Sequence, residues 1–512
     1  MGDRPLLLEW ESLMKRIFLI ICFLAALIVA IIQGIGLVLP DKVSVESFRE
    51  NGFKNVMRTL GVIAAEPHPA ASKRQELVRA YLIREMNEMG YKVTEQKFHY
   101  TANDLVFRQK KVSSELNSQQ RQTFDKKFVR DGRGNVEDEI STHSELSGTN
   151  LIAKLKVPSP KGTMLIVSHY DSVRTAPGAS DNGMAVASVL QLMRDLSKRT
   201  DIKNNVIFLF SDAEELGLLG VRHFVKNIDE ITSQSIDLVF NFDARGNNGV
   251  PLLFETSEKN FALVSEWNRS AYKPVAFSFS PIVYQMLTNE TDFSVFLDMG
   301  FAGINFATIL GYEHYHRMSD TVENLNLGTL WRYQRTIRDL GIHFAIKEVT
   351  RFSRESVDAV YFPVPYIGLI IMPVFVALIA GLLAFVLSIS LAMKNIWFSH
   401  SSKTVSNMQT ILRIFAGLLS LAAALIVPTA SYLIALPVLL FLLMDLMLRE
   451  FNKFSIALIM LIICTYITCI IYVPVIYLVV VGLHVNVVGG LLALLLIIFL
   501  GLGTASLWNR AN

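Results

Sequence analysis

Cysteine is nearly missing from this chain. The 512 residues contain three, Cys22, Cys464 and Cys469, each inside an apolar run, so no disulfide staples the polar middle of the chain, which must fold on its own core. Charge is missing from two places. Ile17 to Pro40 carries none, and Tyr361 to Asn512 carries eight charged residues, Lys394, Lys403, Arg413, Asp445, Arg449, Glu450, Lys453 and Arg510. With 52% hydrophobic and 18% charged residues overall, an entirely soluble enzyme is excluded. An excess of either sign is also missing from the middle. Residues 41–360 hold 39 Lys and Arg against 40 Asp and Glu, a balance that speaks against a nucleic-acid partner.

What is present divides into a membrane part and a polar domain. The uncharged run 17–40 follows Lys15-Arg16 and is longer than the apolar core of a secretory signal, so it reads as a transmembrane signal anchor behind a cytoplasmic segment 1–16, with a cleaved signal peptide as the alternative. Residues 361–512 read as a transmembrane domain of about five helices, near 363–392, 411–428, 430–447, 455–481 and 487–507. Lys and Arg cluster on the segments that the N-terminus shares a side with, as the positive-inside rule requires, so the domain 41–360 is expected on the extracytoplasmic side. Asp445, close to Arg449, reads as snorkelling rather than as an ion pathway. A single span would anchor the protein, which leaves the bundle open to homo-oligomer formation or to delivery of substrates from the lipid bilayer.

The polar domain alternates short apolar runs with helical patterns. Strands are expected at 93–100, 150–155, 162–172, 205–215, 236–244, 251–257 and 300–307, and helices at 72–89, 183–198, 258–271 and 327–349. The expected fold is therefore α/β, a mostly parallel twisted sheet flanked by helices. The Lys-, Gln-, Asp- and Ser-rich stretch 103–147 breaks the pattern and reads as a polar insertion.

Acids and histidines stand where apolar strands run out, the edge at which open α/β sheets bind ligands. His169 and Asp171, two apart on extended chain, point to one side, so His169 can ligate a metal while Asp171 orients its ring. Asp181, in Gly178-Ala-Ser-Asp-Asn-Gly183, is free to bridge two ions. Glu214 and Glu215 would repel unless a cation or proton relieved them, and in a two-metal site one binds metal while the other takes a proton from the attacking water. Asp243 ends another apolar run, and His314 and His316 offer a late imidazole. Such a His and carboxylate set suits zinc, although Mn²⁺ or Co²⁺ fits the same donors. Arg245 fits either a substrate carboxylate or a loop salt bridge, and Tyr284 either an oxyanion donor or a packed ring.

SHYDS (168–172), GASDNG (178–183), DAEELGLLG (212–220), NFDARG (241–246) and YHRMSDT (315–321) closely resemble the successive motifs of the co-catalytic di-zinc exopeptidases, a family that includes bacterial leucyl aminopeptidase, aminopeptidase Y and glutamate carboxypeptidase. The trailing apolar segments resemble its multi-pass membrane branch, typified by endoplasmic reticulum metallopeptidase and yeast vacuolar membrane protease. The resemblance implies two Zn²⁺ per chain, with His169 and Asp243 on one, Glu215 and His316 on the other, and Asp181 between them. It further implies Glu214 as general base, Asp171 as partner of His169, peptide as substrate and aminopeptidase action, with carboxypeptidase-type specificity or an inactive scaffold as alternatives. Asp243 stands where that branch often has Glu, and either carboxylate binds zinc. The cysteine-free outer domain favours a bacterial cell membrane, while the triplets at Asn268 and Asn289 allow glycosylation in an endoplasmic reticulum or vacuolar lumen.

Overall fold

The computed structural model describes residues 4–44, 46, 52–100, 146–228, 235–285, 290–354, 356–398, 403–450 and 454–482. The insertion expected at 103–147, apart from its last two residues, and the span expected at 487–507 lie outside the described residues. The chain forms two compact units: Leu39–Pro274 with Ser280–Ser356, and Met1–Val38 with Val275–Phe279 and Val357–Asn512.

The first unit is built on seven strands: β1 (Val93–Tyr100), β2 (Leu146–Leu155), β3 (Thr163–His169), β4 (Asn205–Ser211), β5 (Leu238–Ala244), β6 (Leu252–Thr256) and β7 (Gly303–Thr308). Their order is β1-β2-β4-β3-β5-β7-β6. The central strands β4, β3, β5 and β7 run parallel, whereas β1, β2 and β6 pair antiparallel at the two edges. The sheet is mixed, with its parallel part in the middle, because parallel strands need covering on both faces while edge strands do not. From β3 the chain runs through helix Met184–Leu196 to β4 on one side, then passes to the other side of β3 as β5. Strand order thus reverses at β3, which opens a crevice beyond its carboxyl end.

Period-two alternation explains what fills that crevice. Leu165 and Val167 of β3, Ile207 and Leu209 of β4, and Val239 of β5 belong to one buried apolar cluster with Phe224, Phe293 and Phe296. Continued two residues at a time, the rows end in His169, Ser211 and, through Asn241, Asp243. The apolar rows therefore seat the sheet and their last members reach the crevice. On the alternate register of β5, Phe240 packs on Phe344 at 5.0 Å and Phe242 stacks on Phe306 at 5.5 Å. Phe344 lies in helix Leu327–Ile346, whose start is fixed by Asn326, its side-chain oxygen accepting from the Gly328 and Thr329 N–H groups. The expected helices are present as Lys73–Glu88, Met184–Leu196, Phe261–Ser270 and Leu327–Ile346. Phe53–Ile63, Leu219–Lys226 and Asp292–Asp298 are additional; at two to three turns each they are too short to announce a helical period.

The second unit contains helices Arg4–Gly36, Val374–Phe398, Lys403–Ile426, Tyr432–Glu450 and Phe454–Tyr477. Val374–Lys394 and Ile462–Val480 are long and apolar enough to cross a bilayer, while the apolar parts Ile21–Gly36, Thr410–Ile426 and Tyr432–Met444 are shorter. Small residues let two helices approach closely, since a Cβ on Gly381 would meet Ala424 Cβ at 2.5 Å and one on Gly417 would meet Ser388 Cβ at 2.6 Å. The span expected from 363 begins later. Residues Ala359–Val364 (β8) and Gly368–Pro373 (β9) pair as an antiparallel hairpin. Pro363, Pro365 and Pro373 cannot supply helical N–H groups, and Tyr366 and Gly368 turn the chain at φ 64° and 101°, so the helix starts only at Val374.

Phe344 is fully buried between Phe240 and Phe352. Phe344→Ala should lower the unfolding free energy by about 3–5 kcal/mol, read as an earlier urea transition of the detergent-solubilised chain. Leu77→Ala, at a residue 61% exposed, should shift it by less than about 0.5 kcal/mol.

Candidate metal centre

β3 delivers His169 to the crevice, and Asp171 follows two residues later; both are buried. The Nδ1 of His169 lies 3.1 Å from the Asp171 carbonyl oxygen and 3.5 Å from Asp171 Oδ1. With Nδ1–H directed there, Nε2 presents its lone pair to the crevice. Asp171 also joins two loops, its Oδ1 accepting from the Glu214 N–H at 3.1 Å and its Oδ2 from the Glu215 N–H at 3.3 Å. Asp171 thus orients the imidazole, through its carbonyl oxygen with the carboxylate close by, while that carboxylate fixes the backbone that carries both glutamates.

Asp181 sits on a tight turn that closes with Gly183 N–H donating to Gly178 O at 2.9 Å. Gly178 has φ 71°, and a Cβ there would lie 2.6 Å from Asp181 O, so glycine is required. The side-chain amide of Asn182 donates to Phe242 O at 2.8 Å and to Ser168 Oγ at 3.1 Å, which pins the turn to β5 and β3. Asp320 clamps it from the other side. Its Oδ1 accepts from Ser180 N–H at 2.9 Å and Ser180 Oγ–H at 2.6 Å, and its Oδ2 from Asp181 N–H at 3.2 Å.

So held, Asp181 faces two imidazoles with its two oxygens, Oδ1 at 3.3 Å from His169 Nε2 and Oδ2 at 3.2 Å from His316 Nε2. Asp243 Oδ1 is 3.6 Å from the first Nε2, and Glu215 Oε1 is 3.2 Å from the second. Two groups result, His169-Asp181-Asp243 and Asp181-Glu215-His316, each with ligand atoms within 4.8 Å of one another and all buried. Asp181 is their shared member. Neither group includes Glu214 or His314. His316 is held at φ 57°, with its carbonyl accepting from Thr175 Oγ1–H at 2.9 Å and its ring stacked on Tyr315 at 3.7 Å. The left-handed backbone is unusual for a non-glycine residue and is kept by these contacts.

The centre is short of positive charge. Burial opposes protonation of His169, yet Asp171, Asp181 and Asp243 outweigh it and hold the imidazole well above the usual range. Burial likewise opposes protonation of His316, but Glu215 and Asp181 push it up to about 9. Burial first, and then the charges of Glu215, Asp243 and Asp292 against the pull of His169, raise Glu214 well above the usual carboxylate range. In addition Glu215 Oε1 and His316 Nε2 are buried with no hydrogen-bond partner, a costly condition unless another group occupies the space between them. Imidazole nitrogens and carboxylate oxygens converging in two groups are the donors of zinc. A divalent cation in the second group would satisfy both orphaned atoms, and one in the first would offset the carboxylates of Asp181 and Asp243 that face His169, so the residues fit a pair of metal ions.

Sequence reasoning passed over several residues that hold this arrangement. Asp320 entered only as part of a motif. Asp212 accepts from Thr149 N–H at 2.6 Å, from Tyr170 Oη–H at 3.2 Å and from the Gln75 side-chain amide; burial, reinforced by the charge of Asp171, pushes it up to about 7. Asp292, which accepts from Ser211 Oγ–H, is also raised by burial to about 7. The signal available was an acid within an otherwise apolar run, which reads as ordinary loop polarity. His68 exchanges bonds with Ser172, its N–H donating to Ser172 Oγ at 2.9 Å and its carbonyl accepting from Ser172 N–H at 3.3 Å; burial lowers its ring to about 4, so it props the loop as a neutral group. Tyr284 packs edge-on against Phe254 at 4.9 Å, and burial with the charges of Glu255, Asp243 and Glu214 keeps its phenol protonated.

Asp320→Ala would leave three donors of the 180–181 backbone and side chain unpaired. Zinc affinity, measured by competition with a chromogenic chelator, should fall roughly 10- to 100-fold, while Asp320→Asn should lose less because it keeps one acceptor oxygen.

The vacuolar membrane protease of Lachancea thermotolerans is 25% identical over 312 residues, covering 59% of this chain and 29% of that protein. That of Saccharomyces cerevisiae is 26% identical over 329 residues, covering 62% of this chain and 30% of that protein. The matched segments therefore span less than a third of these relatives. Among solved structures, the aminopeptidase from Aneurinibacillus sp. strain AM-1 aligns over 57% of this chain and 93% of its own, with a TM-score of 0.42 and 16% identity. Residues 150–341, which carry both candidate metal groups together with Asp171 and Glu214, match the model of peptidase family M28.

Proposed function

We propose that this chain is a membrane-anchored di-zinc metallopeptidase that acts as an aminopeptidase. The observation that carries the reading is Asp181, shared between two buried His and carboxylate groups. His169 and Asp243 would hold one zinc, Glu215 and His316 the other, and Asp181 both. When bound, the zinc pair supplies Lewis acidity, which lowers the pKa of water and polarises the scissile carbonyl. Asp171 keeps the His169 ring oriented. Glu214 lies in neither cation group yet follows the same strand end as Glu215, so its carboxylate is available to take a proton from the attacking water and return it to the leaving amine. A scaffold role is disfavoured, because both donor sets and the base are filled. The peptide's free amino terminus is an additional nitrogen donor suited to such a centre, which favours removal of N-terminal residues.

The membrane part of the proposal rests on the two long apolar helices and on the relatives' printed names. The domain faces the extracytoplasmic side, on the loop charges, with a bacterial cell membrane favoured over an endoplasmic reticulum or vacuolar one. The lipid bilayer and peptides are the partners this implies.

Glu214→Gln should retain two zinc ions per chain by elemental analysis and release leucine from leucyl peptides at least about 10²-fold more slowly. Undiminished release would remove Glu214 from the role of base. Protease added outside sealed cells should degrade the sheet domain, whereas protection until the membrane is permeabilised would invert the proposed topology.

A further inference from the structure

Arg245 follows Asp243 by two residues. Its backbone N–H still donates to Thr308 O at 2.9 Å, so the alternation of β5 carries through and sets Arg245 in the row of Asn241 and Asp243. Its guanidinium carbon stands 5.0 Å from the centre of the Tyr312 ring and 5.6 Å from that of Tyr315. Those two rings stack at 5.5 Å, and Tyr315 stacks in turn on His316 at 3.7 Å. A continuous series of planar groups therefore runs from the guanidinium to an imidazole of the candidate metal centre.

A loop salt bridge, one of the two roles the sequence allows, is not made. Among the described residues Arg245 has no ion pair, and its Nε is buried without a hydrogen-bond partner. Other arginines of the same domain behave differently. Arg332 pairs with Asp41 while lying over Tyr272, and Arg351 pairs with Glu266 at 2.8 Å. Cation–π contact with two tyrosines restrains the guanidinium but uses none of its N–H donors, which leaves a fork matched to a planar, bidentate anion. The crevice also holds the carboxylates of Glu214, Glu215 and Asp243, so an anionic group on a substrate is better placed at the Arg245 guanidinium than beside those acids.

We propose that Arg245 binds a substrate carboxylate beside the scissile bond, so that the preferred substrates are short peptides with an anionic group on the residue after that bond. The anion is either the C-terminal carboxylate of a dipeptide or the side chain of an acidic residue; both present the same chemistry to the guanidinium. That the ligand is a peptide rests on the peptidase reading above, whereas the carboxylate preference rests on the geometry of Arg245 itself.

The test is calorimetric binding to the zinc-loaded, full-length Glu214→Gln chain in detergent, with three probes. Leu-Leu carries a C-terminal carboxylate, Leu-Glu-amide a side-chain carboxylate, and Leu-Leu-amide neither. One of the two acids should bind at least about 10-fold more tightly than the neutral amide, and which one does so identifies the source of the anion. Adding Arg245→Leu should erase that preference and leave the amide's affinity within about threefold, while Arg245→Lys should restore part of it. Absence of any acid preference, its survival in Arg245→Leu, or equal weakening of all three probes would overturn the assignment. Turnover by the wild-type chain is scored separately. If no leucine is released while the Arg245-dependent preference persists, the peptidase reading fails and the carboxylate site stands.

Discussion

Buried negative charge governs this domain. Asp171, Asp181, Glu214, Glu215 and Asp243 meet at the ends of three neighbouring strands, each at most 9% exposed. A buried carboxylate without compensation costs several kcal/mol, and the carboxylates around the crevice meet that cost in three ways: through protein N–H donors, through a positive partner, or by a raised pKa. Asp171 takes the first course through two backbone donors. Asp181 faces an imidazole with each oxygen. Asp212, Asp292 and Asp320 take a third course, since burial raises each of them towards neutrality, to about 7, 7 and 6. What remains unmatched is the pair of groups that share Asp181, and that is where divalent cations fit.

Much of this was legible in the sequence, because the rule that builds the sheet also builds the centre. An apolar row repeating every second residue must terminate, and where it terminates in His169 or Asp243 the side chain already has its direction. The strands of the parallel core and the long helices follow from the same periodicities. The family resemblance implied His316 rather than His314, and among the described residues only the former joins a cation group.

The remainder was hidden for physical reasons. Asp320 acts through hydrogen bonds to a turn 140 residues away in sequence, and nothing in its own neighbourhood announces that partner. The hairpin of β8 and β9 was read as part of a span because apolar β-branched residues serve a strand and a membrane helix equally well; the prolines at 363, 365 and 373 were the available signal. Arg245 illustrates the opposite limit. Its residue type allowed a salt bridge or a ligand, and only the distances to Tyr312 and Tyr315 separate the two.

The most direct test of the central claim is a calorimetric titration of zinc into the metal-free, full-length chain. If one carboxylate joins two cation sites, the wild type binds two ions with release of protons from the imidazoles, Asp181→Ala weakens both sites together, and Asp243→Ala spares one. A single ion in the wild type, or loss of only one site in Asp181→Ala, would contradict the account.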